Sequence, residues 1–306
     1  MKYDGIVENS RNGLVMIHPM AVTTVYKIPE ERVLFDSERR PNPFFHLAEC
    51  VWIMSGSNDL AWISKFNSNM GTFSDDGKTI NGAYGHRLRS YFGKDQITTV
   101  VKILRSSKED RRAVLTMWDP RNDLGSISKD VPCNTQVYLR INSVALDMMV
   151  TCRSNDVIWG AYGANAVHFS FLQEYLAWAI GVEVGTLCQV SFNYHIYERH
   201  WHLLKRNLTN EENPYTNPQC AVLPLRDRYC TPEEFLFDCE VLVGTDDYMP
   251  ESAFLRQVFI PMQYAWENRA HVEEALEAIS PMPQCDWKLA AYAWFNDKEN
   301  KDGQSE

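Results

Sequence analysis

Hydrophobic positions along the chain recur with two periods, and each period predicts a kind of element. Between Phe45 and Met54, the residues Leu47, Val51 and Met54 fall on one side of a helix, with Glu49 as its lone carboxylate. Asp95–Leu104 is amphipathic and runs into a charged stretch ending in Asp110-Arg111-Arg112. Ala164–Ile180, rich in aromatics and alanine, predicts a longer helix. Strict alternation takes over at Asn134–Ile141, where Val137, Leu139 and Ile141 share a face. Ala145–Cys152 continues after Asn142-Ser143, a turn signal, so the two segments predict a hairpin. Ala113–Trp118 and Leu187–Tyr197 have strand character, Asp119–Pro132 reads as a loop, and Ser55–Gly85 as a polar, glycine-rich stretch. The N-terminal segment mixes short apolar runs with the polar turn cluster Glu8–Gly13. Glu198–Arg206 predicts a helical turn, proline- and asparagine-rich turns follow Asn207, and helical segments are expected near Pro232–Val243 and Phe254–Ile279. Asp297–Glu306 is a polar tail expected to fray.

The hairpin carries a chemical consequence. A turn centred near Ser143 sets Cys133 across from Arg153, at about 5 Å between side chains on one face. A slip of one residue would send them to opposite faces. A thiol beside a fixed guanidinium is expected to lose pKa, since the positive charge stabilises the thiolate. Pro132 biases Val131 to an extended conformation and stiffens the approach. On the residues alone, two readings stay open: an activated nucleophile, or a small buried hydrophobe. Arg111-Arg112 similarly reads as a solvated helix end, and His195 with Tyr197 as a core pair. Glu49 is harder to place blandly, because a carboxylate on a largely apolar helix needs partners.

Composition narrows the classes without choosing among them. The 306 residues carry 40 acidic and 30 basic side chains, a net charge of −10, which disfavours a broad nucleic-acid surface. A small phosphorylated ligand needs only a few local arginines. The longest apolar stretches are shorter than the ~18–20 residues that span a bilayer, and the polar start predicts no secretory signal. A cytoplasmic protein is expected. None of the eight cysteines forms a C-x-x-C pair, so neither a metal site nor a disulfide framework is expected.

Several motifs at fixed intervals change the picture. Asp130-Val131-Pro132-Cys133 is followed by Cys152-Arg153-Ser154-Asn155-Asp156-Val157, preceded by Asp95–Val100 and Asp110-Arg111-Arg112, and completed by Gly181–Gly185 and His195-Ile196-Tyr197. In this order and spacing, over about residues 8–200, the chain resembles the thymidylate synthase superfamily. The resemblance implies an α/β (α+β) fold with a large mixed β-sheet covered by helices. It divides the chain into a catalytic domain at 1–206 and a C-terminal helical extension at 207–306. It implies that Cys133 adds to C6 of a pyrimidine nucleoside 5′-monophosphate and that Glu49, in Glu49-Cys50-Val51-Trp52, organises proton transfer at the base. Tyr84 would assist proton abstraction at C5, and Asp156 would hydrogen-bond the pterin of 5,10-methylenetetrahydrofolate. Arg11, Arg153 and Ser154 would hold phosphate, with Arg111 and Arg112 supplied by the partner in a homodimer. Planar guanidinium forks suit that task. His195 and Tyr197 would bind the sugar 3′-hydroxyl.

Three departures point from methylation toward hydroxymethylation. Met70 and Phe73 stand where synthases carry two tryptophans. The runs Ile80–Gly85, Arg153–Asp156 and His195–His200 are closer to phage deoxycytidylate hydroxymethylase. The polar C-terminus also lacks the apolar tail that closes a synthase over folate, and an unsealed site admits water. The base-reading position is Asn165, if one residue is inserted within Gly160–Gly163, since loops absorb insertions. An amide matches O4 and N3–H of uracil, which points to dUMP and leaves dCMP or CMP open. Tyr138, where relatives carry Gln, leaves the hydrogen bonding near the base open as well. A non-catalytic nucleotide binder and a thymidylate synthase remain as alternatives.

Overall fold

The computed structural model describes residues 4–36, 38–205, 213–245 and 247–302, with side chains through residue 296. Its strands are β1 (Ile6–Ser10), β2 (Gly13–Ile17), β3 (Val22–Tyr26), β4 (Val114–Thr116), β5 (Asn134–Asn142), β6 (Ala145–Asp156) and β7 (Glu183–Tyr197). Its α-helices are α1 (Pro43–Ser55), α2 (Leu60–Ser64), α3 (Tyr84–Arg89), α4 (Gln96–Ser106), α5 (Ala164–Ile180), α6 (Pro232–Gly244), α7 (Ile260–Glu267), α8 (Val272–Ile279) and α9 (Asp286–Asp302). By contacts, the chain groups into Met1–Pro29 with Arg87–Glu212, and Glu30–His86 with Asn213–Glu306. Residues 30–86, assigned from sequence to the catalytic segment, thus share a unit with the C-terminal helices.

The first unit is a mixed sheet in the order β1-β2-β7-β6-β5-β4, with β3 also on β7. β6 and β7 run parallel, joined through α5, while the other pairs are antiparallel. The N-terminal strands were not legible in the sequence, because β1 is exposed along its length and shows no alternation. α5 is buried almost all round, which erases any one-sided stripe. The Gly181–Gly185 motif has a backbone explanation at both ends. Gly181 caps α5 at φ 86°, and a side chain at Gly185 would strike Asp147 and the Leu146 carbonyl.

The hairpin register holds at the expected place for a different reason. From Asn142↔Ala145 to Gln136↔Thr151 the pairing, continued unbroken, would face Cys133 with Ser154. Thr135 is the extra residue of a bulge, after which Asn134 pairs Cys152 and the Arg153 N–H donates to the Cys133 carbonyl at 2.9 Å. The loop leading to Cys133 is anchored at Asp123, whose carboxylate takes both guanidinium nitrogens of the fully buried Arg87 at 2.8 and 2.9 Å.

The second unit is helical. α1 starts at Asn42, which accepts the Phe45 N–H, and ends at left-handed Gly56. The expected polar stretch after it contains α2 and a 3₁₀ turn at Ser68–Phe73. The segment Phe254–Ile279 is broken into a π turn at Leu255–Phe259, then α7 and α8. Of the expected polar tail, Asp297 to Asp302 lie in the last turns of α9, and residues 303–306 lie outside the described residues. No helix among the described residues is long and apolar enough to cross a membrane.

Candidate active site

Cys133 sits half-buried where the anchored loop enters β5. Arg153 faces it from β6, its Nη2 at 3.8 Å from Sγ. The guanidinium is held in place by loop carbonyls, donating from Nε to Pro132 at 2.9 Å and from Nη2 to Val131 at 2.8 Å, and it lies over the Trp118 ring. Arg11, in the turn between β1 and β2, reaches the same loop and donates to the Lys129 carbonyl. The expected fall in thiol pKa is not what results. Burial pushes the Cys133 thiol up, Asp130 adds to the rise, and Arg153 and Arg11 pull it only part of the way back. Tyr138 donates its hydroxyl proton to Gln136, two residues nearer the thiol on β5.

The ends of β6 and β7 bring a second group together. Ser154 pairs with Asn193, and Asp156 with His195. His195 is buried, its Nδ1 at 2.9 Å from the Asn193 side-chain oxygen and its ring edge-on to Tyr197 at 5.3 Å. Asn12, beside Arg11, donates to the Tyr197 hydroxyl at 3.5 Å. Asp156 accepts the Ile158 and Trp159 N–H groups on Oδ1, capping a π turn at Val157–Ala161. Its Oδ2 is buried with no hydrogen-bond partner among the described residues. An acceptor left in that state calls for a donor from outside the chain, which fits the N–H groups of a pterin. The π turn stands directly before the helix that carries Asn165, and a π turn houses one residue more than an α turn. It lies at the upstream edge of the segment where the inserted residue was expected.

Glu49 and Tyr84 belong to the other unit. Glu49 is the one residue between Pro43 and Met54 that is not buried, an opening within an otherwise buried run of α1. Tyr84 begins α3, half-buried. The two helices meet through Gly85, where a side chain would stand 2.2 Å from the Ile53 carbonyl oxygen. Arg111 and Arg112 are exposed, with Arg112 paired to Asp110 at 2.6 Å and the Asp110 carboxyl held down to about 2 by that guanidinium. Since Val114 pairs with Tyr138, they lie near the far end of β5, roughly 20 Å along the strand from Cys133 at ~3.3 Å per residue. They are not part of the Cys133 cluster of their own chain.

Sequence reasoning missed the buried polar residues behind this site. Asn155, Gln189 and Ser191 are fully buried or nearly so. The available signal was the period-two polar run Gln189, Ser191, Asn193 leading to His195 on an otherwise apolar strand. Among the described residues, no group of three or more His, Cys, Asp or Glu side chains forms a metal cluster.

Comparisons with known proteins agree in kind. A family model described as thymidylate synthase matches residues 3–241. A protein named deoxyuridylate hydroxymethyltransferase from Pseudomonas phage M6 is 41% identical over 310 residues, spanning 96% of this chain and 88% of that one. A protein of the same name from Bacillus phage SP01 is 37% identical over 183 residues, 56% of this chain and 48% of its own. Among solved structures, thymidylate synthase from T4 phage superposes with a TM-score of 0.59 at 19% identity, covering 79% of this chain and 88% of that chain. That likeness speaks for the fold.

Proposed function

Because the chain belongs to the thymidylate synthase family, we propose that it is a folate-dependent one-carbon transferase converting dUMP to 5-hydroxymethyl-dUMP. One observation carries the covalent chemistry: a half-buried thiol 3.8 Å from a guanidinium that two loop carbonyls hold in place. The likeness to the phage M6 protein, over 96% of this chain, supports the choice of uracil and of the hydroxymethyl product.

In this reading Cys133 attacks C6 as the thiolate, and the displaced π electrons make C5 nucleophilic. Arg11, Arg153 and Ser154 hold the 5′-phosphate, whose approach orders the guanidiniums around the thiol. His195 and Tyr197 hold the 3′-hydroxyl, and Asn165 reads the base. Glu49 organises proton transfer to the base carbonyl, and Tyr84 assists removal of the C5 proton, after which Cys133 leaves again as a thiolate. Asp156 offers its unpartnered oxygen to the pterin. When bound, methylenetetrahydrofolate supplies a carbon at the oxidation level of formaldehyde and water supplies the hydroxyl, so the nucleotide gains CH2O without net redox change. Arg111 and Arg112 complete the phosphate site of the partner in a homodimer. The phage relatives support a reaction in the host cytoplasm.

Cys133→Ser should abolish tritium release from 5-tritiated dUMP, and full release would overturn the covalent step. Mass analysis of products from dUMP, dCMP and CMP tests the rest. A dUMP product heavier by CH2O is expected; one heavier by CH2, with dihydrofolate formed, would establish reductive methylation instead.

A further inference from the structure

We propose that Asn155, which the mechanism above does not use, is a specificity-determining positioning residue that locks the Asn165 amide in the orientation complementary to uracil. The inference rests on the reading of Asn165 as the base contact. Asn155 is 1% exposed and lies on β6 between Ser154 and Asp156. Its Nδ2 carries two hydrogens, and both are used: one goes to Gln189 Oε1 at 3.0 Å, the other to Ser191 Oγ at 2.9 Å. Its oxygen is therefore what remains for Asn165, whose Nδ2 donates to it at 3.3 Å.

The lock extends away from the base. Ser191 accepts from Asn155 and pairs in register with Cys152, whose thiol donates to Asn134 Oδ1 at 2.8 Å, beside the nucleophile. Flipping Asn155 alone would set its Nδ2 against the Asn165 amide nitrogen and its oxygen against Gln189 Oε1, whereas a joint flip with Gln189, whose Nε2 has no hydrogen-bond partner among the described residues, would reverse the lock toward cytosine, an outcome the dCMP titration reads. Gly160, from the π turn, closes over the contact: a side chain there would stand 1.8 Å from Asn155 Oδ1 and 3.0 Å from Asn165 Nδ2. The absence of a side chain at Gly160 is thus needed for the pair to meet.

The chemical consequence follows from the two bases. Uracil presents an acceptor at O4 beside a donor at N3, and cytosine presents a donor at N4 beside an acceptor at N3. A freely flipping amide complements either. An amide whose nitrogen is tied to Asn155 keeps one N–H and its carbonyl in a fixed order, so the wrong base meets donor against donor and acceptor against acceptor, a mismatch that discriminates strongly in a buried site.

The test is equilibrium binding of dUMP and of dCMP by titration calorimetry to wild type, Asn155→Asp, Asn155→Leu and Gly160→Ala. The wild type should prefer dUMP. Asn155→Asp, which keeps the acceptor, should retain the preference, whereas Asn155→Leu and Gly160→Ala should reduce the dUMP:dCMP affinity ratio tenfold or more. Gln189→Leu, one step further from the base, gives the same reading if Asn155→Leu fails to fold. A wild type without preference for dUMP overturns the reading of Asn165 and this proposal with it. A wild-type preference that survives Asn155→Leu, or is lost equally in Asn155→Asp, overturns the lock alone.

Discussion

At Cys133, three charges and one environment compete. Arg153 and Arg11 favour the thiolate, Asp130 opposes it, and burial opposes it most, so the resting group is a thiol. The sign of the pH dependence follows. The reactive thiolate fraction grows as pH rises through the elevated pKa, so alkylation by iodoacetamide should be slower at neutral pH than for free cysteine. Arg153→Met removes the main opposing pull and should move the alkylation midpoint to higher pH. Asp130→Asn removes a like charge and should move it lower. A midpoint that does not rise in Arg153→Met would show that the guanidinium does not act on the sulfur. Nucleotide binding thus meets a protonated thiol, and generating the thiolate belongs to the reaction rather than to the resting protein.

Within each unit, elements are set by close approach or by anchoring. The start of α3 rests on the backbone of α1 because Gly85 has no side chain to meet the Ile53 carbonyl. Gly85→Ala forces the helices apart, at about 2 kcal/mol or more of stability by analogy with overpacking. A thermal melt reads this directly, and Tyr84 and Glu49 would be displaced with their helices. The loop before Cys133 depends on a charge pair with no exposure at either end, Arg87 with Asp123. Removing one partner of a buried pair leaves the other uncompensated, so Arg87→Met should cost about 3–5 kcal/mol, measured by urea unfolding. How far these elements were legible varies with their surroundings. α5 and β5 were read within a residue or two, and β6 from its true start but only to Cys152, short of its end at Asp156, since length and alternation survive burial. β1 to β3 were not, because five-residue strands offer too few positions for alternation to register, and β1 is exposed along its whole length.

For the molecule as a whole, the decisive arrangement is the separation of Arg111 and Arg112 from Cys133 on the same strand pair. A phosphate site that uses all four arginines then needs two copies of the chain. Mixing Cys133→Ser protein with an Arg111→Ala, Arg112→Ala double variant, each inactive alone, should restore about one quarter of wild-type activity. In a random mixture of two-fold dimers, half are mixed and each mixed dimer has one intact site. No recovery after subunit exchange would overturn the shared site. The net charge of −10 does not oppose this, since it sums over a surface while a phosphate needs a few cations locally.

The sequence by itself supplied the candidates for the proposed covalent chemistry, Cys133, Arg153, Glu49 and Asp156, and their spacing, because local pattern orders such side chains along strands and helices. It also determined the hairpin that faces Cys133 with Arg153, though not the bulge at Thr135 on which that pairing depends. The tertiary structure alone decided the state of the thiol, because desolvation is set by everything packed around Sγ and no local pattern encodes it. It likewise decided which buried partners hold Asn165, since Asn155, Gln189, Ser191 and Gly160 come from separate segments and meet only when β6, β7 and the π turn are assembled.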